Sequence, residues 1–185
     1  MKRLFVAIKI NPDKELLRVY KEIRKRCHAG KIKWVDINLF HLTLKFLGET
    51  PGEDVNTITN VLKEVAGSSS GFSFDLKGLG IFGSSYRPRI IRANVENNTQ
   101  LKAFGNTVLN KLEKAGFPSD RQNFVPHLTL GRIKYIQDKK MLQEIISEYQ
   151  IVLFQTVRIE EFILYESILH PSGPEYVILE KYKLS

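Results

Sequence analysis

His41-Leu42-Thr43-Leu44-Lys45-Phe46-Leu47-Gly48-Glu49 and Pro126-His127-Leu128-Thr129-Leu130-Gly131-Arg132 decide how this chain folds. Both contain His-Leu-Thr-Leu, in a sequence that has only four histidines. Leucine alternating with a polar residue is the pattern of a half-buried strand, which sends His and Thr to one face and the leucines to the other. Each copy therefore presents one imidazole and one hydroxyl side by side.

The second copy begins 86 residues after the first, and a shift of that length brings other segments into loose register, the mark of an internal repeat. The apolar run 3–9 falls on 89–95, and the helical stretch 13–28 falls on 99–114. Gly30 falls on Gly116, each suited to the left-handed position that closes a helix. A second helix follows each motif. Over 53–66 it carries Val55, Ile58, Val61, Leu62 and Val65 at helical spacing, and over 138–149 Met141, Leu142, Ile145 and Ile146. The strand 72–76 is read as completing the first lobe's sheet, with 157–167 as its counterpart, 83–88 as the loop between repeats and 176–182 as a final alternating strand. The expected fold is α+β, a single domain over 1–185 with repeats of roughly 1–86 and 87–185 and a terminal strand at 176–183. Two pseudo-symmetric lobes from an internal duplication would set antiparallel-type sheets against a central cleft, with helices outside.

Composition narrows the function. The 185 residues, 43% of them hydrophobic, suffice for a real core. No apolar run approaches the ~20 residues of a membrane span, and the opening Met1-Lys2-Arg3-Leu4-Phe5-Val6-Ala7-Ile8 reads as strand and not as a secretory signal. A cytoplasmic location without membrane association is expected. The single Cys27, with no CxxC partner, fits an inert thiol in a reducing compartment. A formal charge of +8 favours polyanionic partners, although solubility alone would also account for it.

Moving a phosphoryl group between oxygens needs one group to take a proton and another to give one, on opposite sides of phosphorus. Two imidazoles, titrating near pH ~6.5, can share those tasks. The hydroxyls of Thr43 and Thr129 can donate hydrogen bonds to the non-bridging phosphate oxygens. No HExxH, CxxC or His-x-His occurs, so acid–base chemistry without a metal is expected. His28 and His170 lie outside both copies and are read as surface or capping residues.

On these residues the chain resembles the 2H phosphoesterase superfamily, in particular its archaeal and bacterial RNA 2′,3′-cyclic phosphodiesterase branch, historically called 2′-5′ RNA ligase. The likeness spans nearly the whole chain. It extends to the opening Arg3-Leu4-Phe5-Val6-Ala7-Ile8, the segment Arg87-Pro88-Arg89, and the ending from Tyr165-Glu166-Ser167 to Pro174-Glu175-Tyr176. The resemblance implies hydrolysis of RNA 2′,3′-cyclic phosphate ends, tRNA fragments among them, to 2′-phosphomonoesters. His41 would be the proton donor and His127 the proton acceptor, with no cofactor, and 2′-5′ joining of RNA ends would be a side activity. Arg132 matches a phosphate-contacting arginine, and its planar fork suits phosphate oxygens. Phe46, at the equivalent distance after His41, matches an aromatic that stacks on the terminal base.

Strict alternation places residues 46 and 132 on the leucine face, so each strand must end, twist or bulge for them to reach substrate; otherwise Phe46 is core. Lys9, Lys45, Arg87, Arg89, Arg92 and Lys134 are further candidates for tracking RNA phosphates or for plain surface duty. A monomer is expected. Two other readings stay open: a non-catalytic module that binds phosphorylated RNA ends or nucleotides, and an enzyme acting on a small nucleotide.

Overall fold

The structure is a computed structural model and describes residues 1–118, 124–171 and 173–185. Nine strands and four α-helices run in the order β1 (Lys2–Lys9), α1 (Lys14–Arg26), β2 (Lys31–Trp34), β3 (His41–Thr50), α2 (Val55–Gly67), β4 (Phe72–Gly83), β5 (Pro88–Glu96), α3 (Thr99–Lys114), β6 (His127–Tyr135), α4 (Lys139–Glu148), β7 (Leu153–Ile159), β8 (Glu161–His170) and β9 (Gly173–Lys183) among the described residues. The helices fall where the apolar periodicity predicts. Asp13 caps α1 by accepting from the Leu16 amide at 2.9 Å, and Asp138 caps α4 by accepting from the Met141 amide at 2.8 Å. Of the two helix-closing glycines, Gly116 is left-handed at φ 95°, but Gly30 is not. Gly30 answers a close approach instead, since a Cβ there would lie 3.1 Å from the Tyr135 carbonyl oxygen.

Two antiparallel sheets carry the fold, in the strand orders β3-β1-β8-β9 and β2-β6-β5-β4-β7. Neither sheet is built from one half of the sequence, which corrects the reading of 72–76 as part of the first lobe. The tight connection after Gly83 returns β4 alongside β5 as a hairpin, so β4 joins the second sheet. Likewise the stretch 157–167 is two strands, and the chain changes sheets at Glu160, carrying β8 back beside β1. The two central strands, β1 and β5, are thus each flanked by a motif strand and by a strand from the other half.

The main core takes one face of both sheets together with the helices. Leu4, Val6, Ile8, Leu42 and Leu44 of the first sheet and Ile91, Ala93, Leu128 and Leu130 of the second all point into it. A separate small cluster, Phe5, Ala7, Ile163 and Tyr165 with Tyr176 against it, occupies the opposite face of the first sheet. That second face is the floor of a cleft. Cys27 is buried in the main core, where desolvation pushes its thiol pKa up, in keeping with an inert side chain.

Candidate active site

The cleft has a volume of about 1070 Å³ and is lined by both motifs: His41, Thr43 and Phe46 from β3, and His127, Thr129 and Arg132 from β6. Among the described residues none of the four helices contributes to it, and the lining comes from the strands and from the segment between β2 and β3. All six residues read from the motifs therefore meet in one place.

Phe46 and Arg132 arrive there by the same device. In β3 the register passes from Ala7 opposite Thr43 to Val6 opposite Lys45, so Leu44 is an extra residue. In β6 it passes from Arg92 opposite Thr129 to Ile91 opposite Gly131, leaving Leu130 extra. One extra residue in a strand reverses the faces beyond it. Phe46 thereby lies opposite Phe5, with ring centroids 6.0 Å apart and 58% of its surface exposed, and is not a core residue.

Each imidazole is held by the backbone two residues before it. Nδ1 of His41 lies 2.7 Å from the Leu39 carbonyl oxygen, and Nδ1 of His127 lies 2.8 Å from that of Val125. A carbonyl can only accept, so Nδ1 carries the proton in both rings and Nε2 is left to exchange one with a ligand. An aromatic ring stands perpendicular to each: Tyr176 at 5.3 Å from His41, and Phe82 at 4.7 Å from His127. Phe5 also packs on His41 at 5.3 Å.

Both histidines titrate below the ordinary value of 6.5. For His41, burial is the main cause, opposed by the bond to Leu39 and reinforced by the positive charge of Arg132 and by His127 itself. For His127, burial again leads, opposed by the bond to Val125 and reinforced by Arg92 and Arg132. Both rings are thus predominantly neutral at pH 7, and the negative charge of a phosphate beside them would draw protons back. The hydroxyls of Thr43 and Thr129 are unengaged among the described residues.

Several contributors escaped the sequence reading. Arg3 and Lys33 line the cleft, and Lys33 sits opposite Arg132 in the β2–β6 pair. Tyr176, Phe5 and Phe82 supply its aromatic surfaces. His170 is on the surface as expected, yet it stands at the cleft rim with Nε2 2.9 Å from a Glu175 carboxylate oxygen. His28 is exposed and its Nδ1 lies 3.0 Å from the Lys25 carbonyl, a capping role. Of the other cations singled out, Lys45 is buried and its Nζ donates to the Pro118 carbonyl, so it cannot track RNA. Arg92 is half-buried behind Phe82, its guanidinium carbon 4.6 Å from that ring's centre. Lys9, Arg87, Arg89 and Lys134 are exposed but outside the lining. Among the described residues no group of three or more His, Cys, Asp or Glu comes together as a metal site, and no helix is long and apolar enough to cross a membrane.

Two strands, one from each half of the sequence, thus deliver His, Thr and one further residue to a shared cleft. The LigT-like phosphoesterase profile matches twice in succession, over residues 8–92 and 94–176. This chain belongs to that family. It is 35% identical over 180 residues to an RNA 2′,3′-cyclic phosphodiesterase of Thermotoga maritima, covering 96% of this chain and 92% of that one. It is 33% identical to the protein of the same name from Methanocaldococcus jannaschii, covering 97% and 99%. Among solved structures, one from Thermus thermophilus superposes with a TM-score of 0.78 at 29% identity, covering 98% of this chain and 97% of that one. E. coli LigT complexed with 3′-AMP shares the fold at a TM-score of 0.73 and 22% identity, covering 100% and 98%.

Proposed function

We propose that the protein hydrolyses RNA 2′,3′-cyclic phosphate ends to 2′-phosphomonoesters by two-histidine general acid–base catalysis, without a metal or other cofactor. The observation that carries this reading is the matched pair of imidazoles, each with Nδ1 spent on a backbone carbonyl and Nε2 free, lining one cleft. The names of the relatives at 33–35% identity support the substrate.

In the proposed reaction the Nε2 of His127 takes a proton from water as its oxygen attacks phosphorus. The bond from phosphorus to the 3′ oxygen breaks, and His41, protonated at Nε2, gives that oxygen its proton. Thr43, Thr129 and the Arg132 guanidinium hold the non-bridging oxygens, and Phe46 stacks on the terminal base. With an RNA 5′-hydroxyl in place of water, the same steps would join two ends through a 2′-5′ linkage, as a side activity. The expected setting is the cytoplasm and the expected state a monomer, which light scattering checks.

Incubating the protein in excess chelator with a short RNA ending in a 2′,3′-cyclic phosphate tests the reading. Turnover to an end bearing a 2′-phosphate is the expected result. Tight binding without product would favour the module that only binds phosphorylated ends, and equal rates on a cyclic mononucleotide at every salt concentration would favour a small-nucleotide enzyme.

A further inference from the structure

A second hollow, of about 300 Å³, lies on the helix side of β2. It is lined by Leu17, Tyr20, Lys21 and Arg24 of α1 and by Trp34, Val35, Asp36 and Ile37. Trp34, Val35 and Asp36 also line the catalytic cleft, so the two hollows meet along that short segment. β2 is the edge of its sheet, and no further strand pairs with its outer side among the described residues.

The dividing segment is fixed. The Tyr20 hydroxyl donates to the Val35 carbonyl at 2.5 Å, and the Trp34 ring stands perpendicular to that of Tyr20 at 5.8 Å. The chemistry on its two sides is continuous. Lys33 faces the cleft beside Arg132, and Lys21 and Arg24 stand beyond the ridge. None of Lys21, Arg24 and Lys33 is in an ion pair with a carboxylate among the described residues, whereas Arg18 and Arg26 of the same helix are neutralised by Glu15, Glu22 and Glu148. Ile37 is exposed at the hollow's mouth, an apolar surface next to the cations. Asp36 is the acidic residue of the lining, and its Oδ1 is taken by the Asn38 amide at 2.8 Å.

Arg24 also lies over the Tyr20 ring, 5.5 Å from its centre. Cations without a carboxylate partner beside the part-exposed Trp34 and the exposed Ile37 suit a single-stranded nucleic acid, which offers a phosphate and a base at each step. We infer that this hollow is a binding subsite for the RNA nucleotides upstream of the reacting end, the RNA passing over Trp34–Asp36 at the end of β2 with its phosphates against Lys33, Lys21 and Arg24. The inference rests on the RNA substrate proposed above. It makes the enzyme prefer an oligonucleotide over a mononucleotide through contacts remote from the reacting phosphorus.

The test is the dissociation constant of a trinucleotide ending in a 2′-phosphate against that of a nucleoside 2′-monophosphate, for the wild type and for the double variant Lys21→Glu/Arg24→Glu. A control, Lys139→Glu/Lys140→Glu, makes the same change in net charge on exposed positions of α4. The expected result is tighter trinucleotide binding by the wild type, weakened about tenfold and with a shallower salt dependence in the first variant only, the mononucleotide being unaffected. Equal wild-type affinity for the two ligands, or equal weakening in both variants, would overturn the subsite. Because the ligands are unreactive, a protein that shows the preference yet fails to turn over cyclic ends would contradict the hydrolase reading and leave the subsite standing.

Discussion

The stretches 41–46 and 127–132 alternate between part-buried and buried in the same order and bulge at the same place, yet one ends in an aromatic ring and the other in a guanidinium. The residues just before those ends differ as well. Gly131 is covered by β2, where a Cβ would lie 2.9 Å from Ile32 and 3.0 Å from Trp34; Lys45 is buried against Pro118 instead. The shared part is a backbone device that delivers His, Thr and one more side chain to a wall. The unshared part is ring against cation, and under the proposed function it would give the two walls different tasks, one for a base and one for phosphate.

The shared histidines carry the largest expected effect. Replacing either His41 or His127 with Ala should lower kcat by about 10²–10⁴-fold with the fold retained by circular dichroism. A variant that keeps a tenth of the activity would show that the two strands are not partners in one reaction. Thr43→Ala and Thr129→Ala should each cost about 3 kcal/mol in the barrier, measured as kcat/KM, and a large inequality between them would reveal that one wall holds most of the developing charge.

The unshared positions should separate by the kind of effect. Phe46→Ala should weaken binding of a base-bearing substrate by about 1–3 kcal/mol without altering salt dependence. Arg132→Ala should instead flatten the salt dependence by about 0.7 in logarithmic slope, and identical behaviour of the two variants would erase the distinction between the walls.

The smallest effect is on stability. Both histidines titrate below 6.5 in the folded protein, chiefly through burial, so the unfolded chain takes up protons first as the pH falls. Stability should therefore be fully present above about pH 6.5 and decline as the pH drops through the lower folded values. Chemical denaturation of wild type and His41→Asn at pH 7 and pH 5 measures this, and the variant should lose less on acidification.

Much of this site was legible because its signals are local. Two polar residues alternating with leucine fix a face, and helical periodicity in 55–65 or 141–146 fixes a helix, whatever the rest of the chain does. The exchange of β4 and β8 between sheets was not legible, since pairing is decided by distant partners and by hairpin closure at Gly83. Strict alternation required a bulge for Phe46 and Arg132 to serve, but nothing in Leu44 or Leu130 announces one. Phe5, Phe82 and Tyr176 were missed because a lone aromatic in a strand resembles core. A usable signal did exist for Phe5: the unbroken apolar run from Leu4 to Ile8 means both faces of β1 are covered, one by the helices and the other by the cleft floor.

The dependence of kcat/KM on pH, with an RNA ending in a 2′,3′-cyclic phosphate and chelator present, tests the central claim most directly. A bell centred on the acid side of 6.5 is predicted, its acid limb lost in His127→Ala and its alkaline limb lost in His41→Ala. A profile whose shape neither substitution changes would contradict the pairing of the two imidazoles across one phosphorus.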